Sequence, residues 1–322
     1  MPLPGERTNP QYGRGTHTLP ADTPSLSDEE TRLKTWLDGF LQQPGLELPR
    51  PPRVALEILA LSQKATARIE DIGALLEREP LLAGRVLRLA NSALYGSAIP
   101  VTTLKQALIR MGLATVRDVV MEAAFHMTVL RAEGFNDTLE CIRRHSTATA
   151  WLSRFIARNT SIDAENAFLI GLLHDVGLSV GLLGLTEFLK RQKAAPRLTP
   201  LRWLAVDDVH QSFTEKVLAS WGLPPAILLV VKHHHSLLID GRPHPSIAIL
   251  MIAEQIAYEG GWGVVPRIEA DADDMAFTSA QEGATPDLLD HALSAVNLTR
   301  KHYDTFVTDT RRVLETLNSQ FK

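Results

Sequence analysis

The stretch Ala167-Phe168-Leu169-Ile170-Gly171-Leu172-Leu173-His174-Asp175-Val176-Gly177 sets how the rest of the chain is read. It opens as an apolar run and is then interrupted by an adjacent histidine and aspartate. Burying such a pair without partners costs several kcal/mol, so the surrounding fold must satisfy it. A bound metal ion does this, and so does an ordinary hydrogen-bond network. The residues alone leave both readings open.

Outward from that pair, the same helical period runs from Leu48 to about Ala257. Apolar residues recur three and four positions apart, in segments of about ten to twenty residues separated by short polar or proline breaks. Val54 to Leu61, Leu81 to Leu89, Val116 to Leu130, Ala148 to Ile156 and Ile247 to Ala257 are typical. Strand-like alternation is nearly absent. The expectation is an all-α fold, a compact multi-helix bundle with a second helical subdomain. The first subdomain is expected over 46–135, and the part carrying the His-Asp pair over 136–257.

The flanks read differently. Residues 1–26 are broken by proline and glycine and predict a flexible tail. A short helix is expected within 27–45: Ser27 and Glu30 form a capping-box pattern, Leu33, Trp36, Leu37 and Phe40 share a face, and Pro44-Gly45 ends it. Residues 258–322 read as a long loop, Gly260 to Pro286, followed by C-terminal helices carrying Leu288, Leu289, Leu293, Val296, Phe306, Val313 and Leu317. The acidic run Glu269 to Asp274 is not a calcium loop. Counted from Asp271, the place that needs a turn glycine holds Ala276, although Glu282 fits the last place.

Composition narrows the function classes. With 322 residues, 45% of them hydrophobic, the chain can bury a sizeable core. A formal charge of -4 with no lysine and arginine cluster disfavours non-specific binding to nucleic acid or an anionic membrane. The single cysteine, Cys141, cannot form an internal disulfide, which suits a reducing compartment, so a cytoplasmic location is expected. The first residues hold no signal-peptide core. The apolar stretches, such as Ala226 to Val231, are read as too short for the roughly 20 residues that cross a bilayer.

Histidines on separate helices are the candidates for chemistry. His145 lies on one helix, His174 and Asp175 on a second, His210 near the start of a third, and His233-His234-His235 end a fourth; Glu254 sits on a fifth. Imidazoles and carboxylates suit zinc, iron or manganese, and bundles build such sites from facing helices. Each residue also has a plainer reading. His145 or His210 alone is an ordinary surface or hydrogen-bonded core histidine, and a histidine run at a helix C-terminus is favoured by the helix dipole.

The spacing of His145, the His174-Asp175 pair and a later acidic residue resembles the HD superfamily of metal-dependent phosphohydrolases. Two further segments resemble, more narrowly, the HDOD domain, the HD-related output domain of bacterial signalling proteins. The first runs Glu79-Pro80-Leu81-Leu82-Ala83-Gly84-Arg85-Val86-Leu87-Arg88-Leu89-Ala90-Asn91-Ser92-Ala93-Leu94-Tyr95-Gly96, followed by Ile99, Leu104, Ala107-Leu108 and Met111-Gly112. The second is Trp221-Gly222-Leu223-Pro224, then Ile227 and His234-His235, and Leu48-Pro49 fits the usual entry to the domain. Asn91 and Ser92 are expected to satisfy backbone groups at a helix end, with Tyr95 packed beside them.

The resemblance implies an HD-like bundle and a role in bacterial signal transduction, exercised through other signalling proteins. HDOD domains are regulatory relatives that often lack the ligands of active HD enzymes. At the places where multi-metal HD proteins carry ligands this chain has His145, His174, Asp175, His210, His234 and His235, with Glu254 where an aspartate is usual. The implied cofactor is a divalent transition metal, iron, manganese or zinc, as one or two ions. In HD-GYP phosphodiesterases a lysine follows the HD-x-G segment and Gly-Tyr-Pro follows the histidine pair. Here Leu178 takes the lysine place, and Ser236 to Pro243 contains no tyrosine.

Two expectations therefore stand. One is a regulatory module that contacts other signalling proteins and binds metal. The other is a metal-dependent phosphohydrolase acting on a nucleotide or phosphodiester, with Asp175 as the catalytic residue that bridges the ions or orients the attacking water. Nucleic-acid binding rests only on neighbouring histidines and is opposed by the charge balance. Membrane partners are not expected, and the oligomeric state is left open.

Overall fold

A computed structural model describes residues 28–64, 66–92, 100–128, 132–264 and 285–320. The tail 1–26, the Ser27 cap, Tyr95 and the acidic run 269–274 lie outside the described residues. Within them the chain is a succession of helices, as the period predicts: α1 (Asp28–Phe40), α2 (Arg53–Ser62), α3 (Ile69–Leu76), α4 (Pro80–Ala90), α5 (Leu104–Met111), α6 (Leu113–Thr128) and α7 (Asn136–Ala157). There follow α8 (Ala164–Leu173), α9 (Val176–Gln192), α10 (Pro200–Ser220), α11 (Pro225–Lys232), α12 (Pro245–Glu259), α13 (Pro286–Ala295) and α14 (Arg300–Gln320).

Local chemistry sets the helix starts. Proline stands in the first turn of α4, α10, α11, α12 and α13, where its missing N–H costs nothing. Thr103 and Gln106 form a reciprocal capping box on α5, and Asp163 accepts from the Glu165 and Asn166 N–H groups at the start of α8. Asn91 closes α4 as expected: its Nδ2 donates to the Leu87 and Val101 carbonyls at 3.1 and 2.8 Å, and its Oδ1 accepts from the Val101 N–H at 2.7 Å. Ser92 Oγ donates to the Leu89 carbonyl.

Three findings differ from the sequence reading. A small antiparallel hairpin, β1 (Leu238–Ile239) and β2 (Arg242–Pro243), follows α11. Its turn residues Asp240 and Gly241 both have positive φ, at 52° and 73°, as a tight hairpin turn needs. Two residues per strand are too few for alternation to show. His210 lies in the middle of α10 rather than near the start of its helix, because Thr199 caps and Pro200 opens that helix ten residues earlier. Finally, Ala164–Gln192 is long and apolar enough to cross a membrane by length and composition, contrary to the expectation that no stretch reaches that length. It is two core helices meeting at His174 and Asp175, and 94% of its apolar window is buried inside the protein.

Packing places the His-Asp turn at the centre. Helices α2 to α6 pack among themselves, with α6 also reaching α8, and α7 lies along α8 and α12. Helix α1 leaves its sequence neighbours to cover α9 and α10. There Trp36 Nε1 donates to the Gly184 carbonyl at 2.8 Å, and Arg202 grips Glu29 through two nitrogens. Helices α13 and α14 close the far side against α12 and α7.

Candidate metal centre

Helix α8 ends at Leu173 and α9 begins at Val176, so His174 and Asp175 form the turn between two buried helices. Glycines make that turn possible. A Cβ on Gly171 would stand 2.7 Å from the Thr149 carbonyl oxygen of α7, and one on Gly177 would stand 1.9 Å from the His210 carbonyl oxygen of α10. Only hydrogen at these two positions lets α8 and α9 approach closely enough to bring α7 and α10 to Asp175. The Gly177 N–H is taken by Thr214 Oγ1 at 2.9 Å, which pins the start of α9 to α10. Neither Gly177 nor Thr214 was singled out as a supporting residue in the sequence. The clash around Gly177 involves a backbone oxygen of another helix, which no local pattern reveals.

The structure brings all seven candidate residues together around Asp175. His174 Nε2 stands 3.3 Å and His145 Nε2 3.8 Å from Asp175 Oδ2. On the other side, His234 Nε2 stands 3.4 Å and His210 Nε2 3.5 Å from Asp175 Oδ1. Glu254 Oε1 approaches His174 Nε2 at 3.5 Å, and His235 Nε2 approaches His210 Nε2 at 2.8 Å. The donors thus fall into two sets that meet at Asp175: His145, His174, Asp175 and Glu254, and His210, His234 and His235. His233, the remaining member of the histidine run, caps α11 and belongs to neither set. Asp175, His145, His174, His210 and His234 are buried, whereas Glu254 and His235 are half-buried and mark the open side.

The other ring nitrogens show which way the histidines work. His174 Nδ1 bonds the Gly171 carbonyl at 2.9 Å, His234 Nδ1 the Val231 carbonyl at 2.6 Å, His210 Nδ1 the Asp207 carbonyl, and His145 Nδ1 the Trp262 carbonyl at 3.0 Å. A carbonyl only accepts, so each Nδ1 carries a proton and each ring turns Nε2 to the centre, bare wherever the ring is neutral. Nε2 then faces Nε2, at 3.3 Å between His145 and His174 and at 3.4 Å between His210 and His234, so each close pair needs a proton or a metal ion between its lone pairs. Such a cluster can take up a metal ion or a proton. Two donors each about 2.1 Å from one ion stand roughly 3.0 to 3.4 Å apart, between octahedral and tetrahedral angles, so the observed separations fit a transition metal.

Electrostatics point the same way. Burial opposes charge on His174, but Asp175 and Glu254 outweigh it and push its pKa up to about 10. Burial pushes His145 below the usual histidine value, and the His174 charge beside it adds to that. The two carboxylates thus draw a positive charge into the centre, a proton or a metal ion.

Comparison with known proteins agrees with this architecture. An uncharacterized protein of Treponema pallidum (strain Nichols) is 22% identical over 200 residues, covering 59% of this chain and 38% of that relative, so the chain spans less than half of that relative's length. Among solved structures, an HDOD domain protein of unknown function from Geobacter sulfurreducens superposes with a TM-score of 0.60 at 21% identity, over 90% of this chain and 99% of its own. A protein from Shewanella amazonensis SB2B, provisionally named a metal-dependent phosphohydrolase, gives 0.63 at 18% identity over 91% and 99%. One from Marinobacter aquaeolei VT8, provisionally named a signal transduction protein, gives 0.61 at 19% over 92% and 67%. At these identities the likeness shows the fold. The family model described as the HDOD domain matches residues 48–237, more than half of the 322, and the chain belongs to the HDOD domain family.

Proposed function

We propose that this protein is a metal-binding regulatory module of bacterial signal transduction, acting in the cytoplasm through contact with other signalling proteins. The observation that carries the metal part is the convergence of four imidazole Nε2 atoms on both oxygens of one buried carboxylate, Asp175. One ion would be held by His145, His174, Asp175 and Glu254. A second would be held by His210, His234 and His235, with Asp175 shared. Zinc, iron and manganese all suit this donor set. The regulatory part is supported by the family and by Leu178, which takes the place of the phosphodiesterase lysine and is wholly buried. The net charge of -4 supports partners other than nucleic acid and anionic membranes.

A second reading, hydrolysis of a nucleotide or phosphodiester, is favoured by one observation: Glu254 and His235 leave the centre open on one side. A bound ion would supply Lewis acidity and lower the pKa of a water. Asp175 would then orient that water, and Glu254, the carboxylate on the open side, would be placed to take up its proton.

Metal analysis of protein purified without a histidine tag, joined to a panel of phosphodiester and nucleotide substrates, separates the readings. Metal without turnover is the expected result. Turnover abolished by Asp175→Ala would make the protein an enzyme, and folded protein that takes up none of the three metals would sink the metal reading.

A further inference from the structure

His145 differs from the other inward-facing histidines. His174, His210 and His234 each bond the carbonyl three residues back in the chain. His145 reaches the Trp262 carbonyl, 117 residues further on. The segment that supplies it lies beyond the family match, which ends at residue 237.

That carbonyl is held in place. Helix α12 ends at Glu259; the Gly260 N–H bonds the Ile256 carbonyl at 2.9 Å, the Gly261 N–H the Tyr258 carbonyl at 3.0 Å and the Trp262 N–H the Ala257 carbonyl at 2.7 Å. Gly261 has φ of 77°, the left-handed conformation that reverses the chain. The Trp262 ring is buried with the Arg144 guanidinium 4.8 Å over its centre, so α7 grips the turn through two successive residues, Arg144 and His145. From the other side Leu314 of α14 packs 3.1 Å from where a Cβ on Gly260 would stand.

We infer that Trp262 is a positioning residue of the metal centre: its backbone carbonyl, set by the Gly260-Gly261 turn and anchored by its ring, fixes the His145 tautomer with Nε2 bare. This rests on the metal-centre reading above. Released from that carbonyl, His145 can carry its proton on Nε2, and the nitrogen aimed at the ion becomes a donor. The C-terminal helices acquire a role by the same route, since α14 backs the turn. Groups that orient a metal-binding histidine commonly change metal affinity by 10–100-fold when lost.

The test uses the full chain. A side chain at Gly261 would meet open space, so Gly261→Val strains the left-handed turn without a clash, while Gly261→Asn tolerates that conformation. Trp262→Ala removes the ring anchor, and Trp262→Phe keeps an aromatic under Arg144. Nitrogen NMR of the histidine rings in metal-free protein reads the tautomer directly, and zinc titration reads affinity. We expect His145 to carry its proton on Nδ1 in the wild-type protein and in Gly261→Asn. Gly261→Val and Trp262→Ala should mix the tautomers and weaken zinc binding by roughly 10-fold or more, with Trp262→Phe recovering most of the loss. A wild-type His145 protonated on Nε2 overturns the inference, as do Gly261→Val and Trp262→Ala proteins with unchanged tautomer and unchanged zinc affinity. Failure of the metal reading looks different: the wild-type protein takes up no metal while Gly261→Val still shifts the tautomer.

Discussion

Two buried aspartates show two ways to hold a negative charge inside this protein. Asp118 on α6 lies between the guanidiniums of Arg117 and Arg154, with Glu165 pairing Arg117 at the outer end. Asp175 lies among the imidazoles of His145, His174, His210 and His234. Both are fully buried. Burial outweighs the downward pull of Arg117 and Arg154 and leaves the Asp118 carboxyl raised to about 6. The guanidiniums are permanently charged, so Asp118 has its counter-charges built in. Imidazoles are positive only when they take a proton or bind an ion. The first cluster carries its counter-charge permanently, and the second carries one only when a ring is protonated or an ion is bound.

Substituting each aspartate separates these roles. Asp118→Ala leaves two buried guanidiniums that cannot lose their protons, and the loss of stability should be about 3–5 kcal/mol by urea unfolding; a loss below about 1 kcal/mol would make the cluster ornamental. Asp175→Asn should cost the metal-free protein much less, because the imidazoles can release a proton and become neutral. Zinc tests the same contrast from the other side. At about 100 times its dissociation constant it should stabilise the wild-type protein by about 2.7 kcal/mol, a chelator should reverse this, and Asp175→Asn should show no gain. A zinc response retained by Asp175→Asn would place the ion elsewhere.

Gly177→Ala comes next in size. Its methyl group must displace α10, for roughly 1–3 kcal/mol, and by separating Asp175 from His210 it should weaken metal uptake as well. Unaltered metal stoichiometry would show that the two helices tolerate the shift. A further contrast is in pH. His174 has a folded pKa raised to about 10, so the stability of its protonated form is present in full below about 6.5, the ordinary histidine value, and is lost as pH rises towards 10. Metal-free protein should therefore lose stability over that window, and zinc, which replaces the proton, should flatten the profile.

Much of this was legible beforehand for a physical reason. Helical period is a local property, so the helices were readable from Leu48 onward, and imidazole and carboxylate admit metal chemistry by residue type. The buried His174-Asp175 pair announced that something must satisfy it. What could not be read was the partner. A membrane-length apolar average over Ala164–Gln192 looks the same whether lipid or protein covers it, and only packing shows that the protein does. The start of α10 was placed near His210, ten residues late, although Thr199 caps and Pro200 opens the helix.

By itself, then, the sequence determined a predominantly helical HDOD chain and the seven candidate residues at its middle. Tertiary structure decided that the donors divide into two sets on the two oxygens of Asp175, that Gly177 and Thr214 hold those helices together, and that His145 is oriented from Trp262. Every residue has a backbone carbonyl, so nothing in the residue type marks the one that matters; only the fold, bringing residues 145 and 262 within 3.0 Å, picks it out.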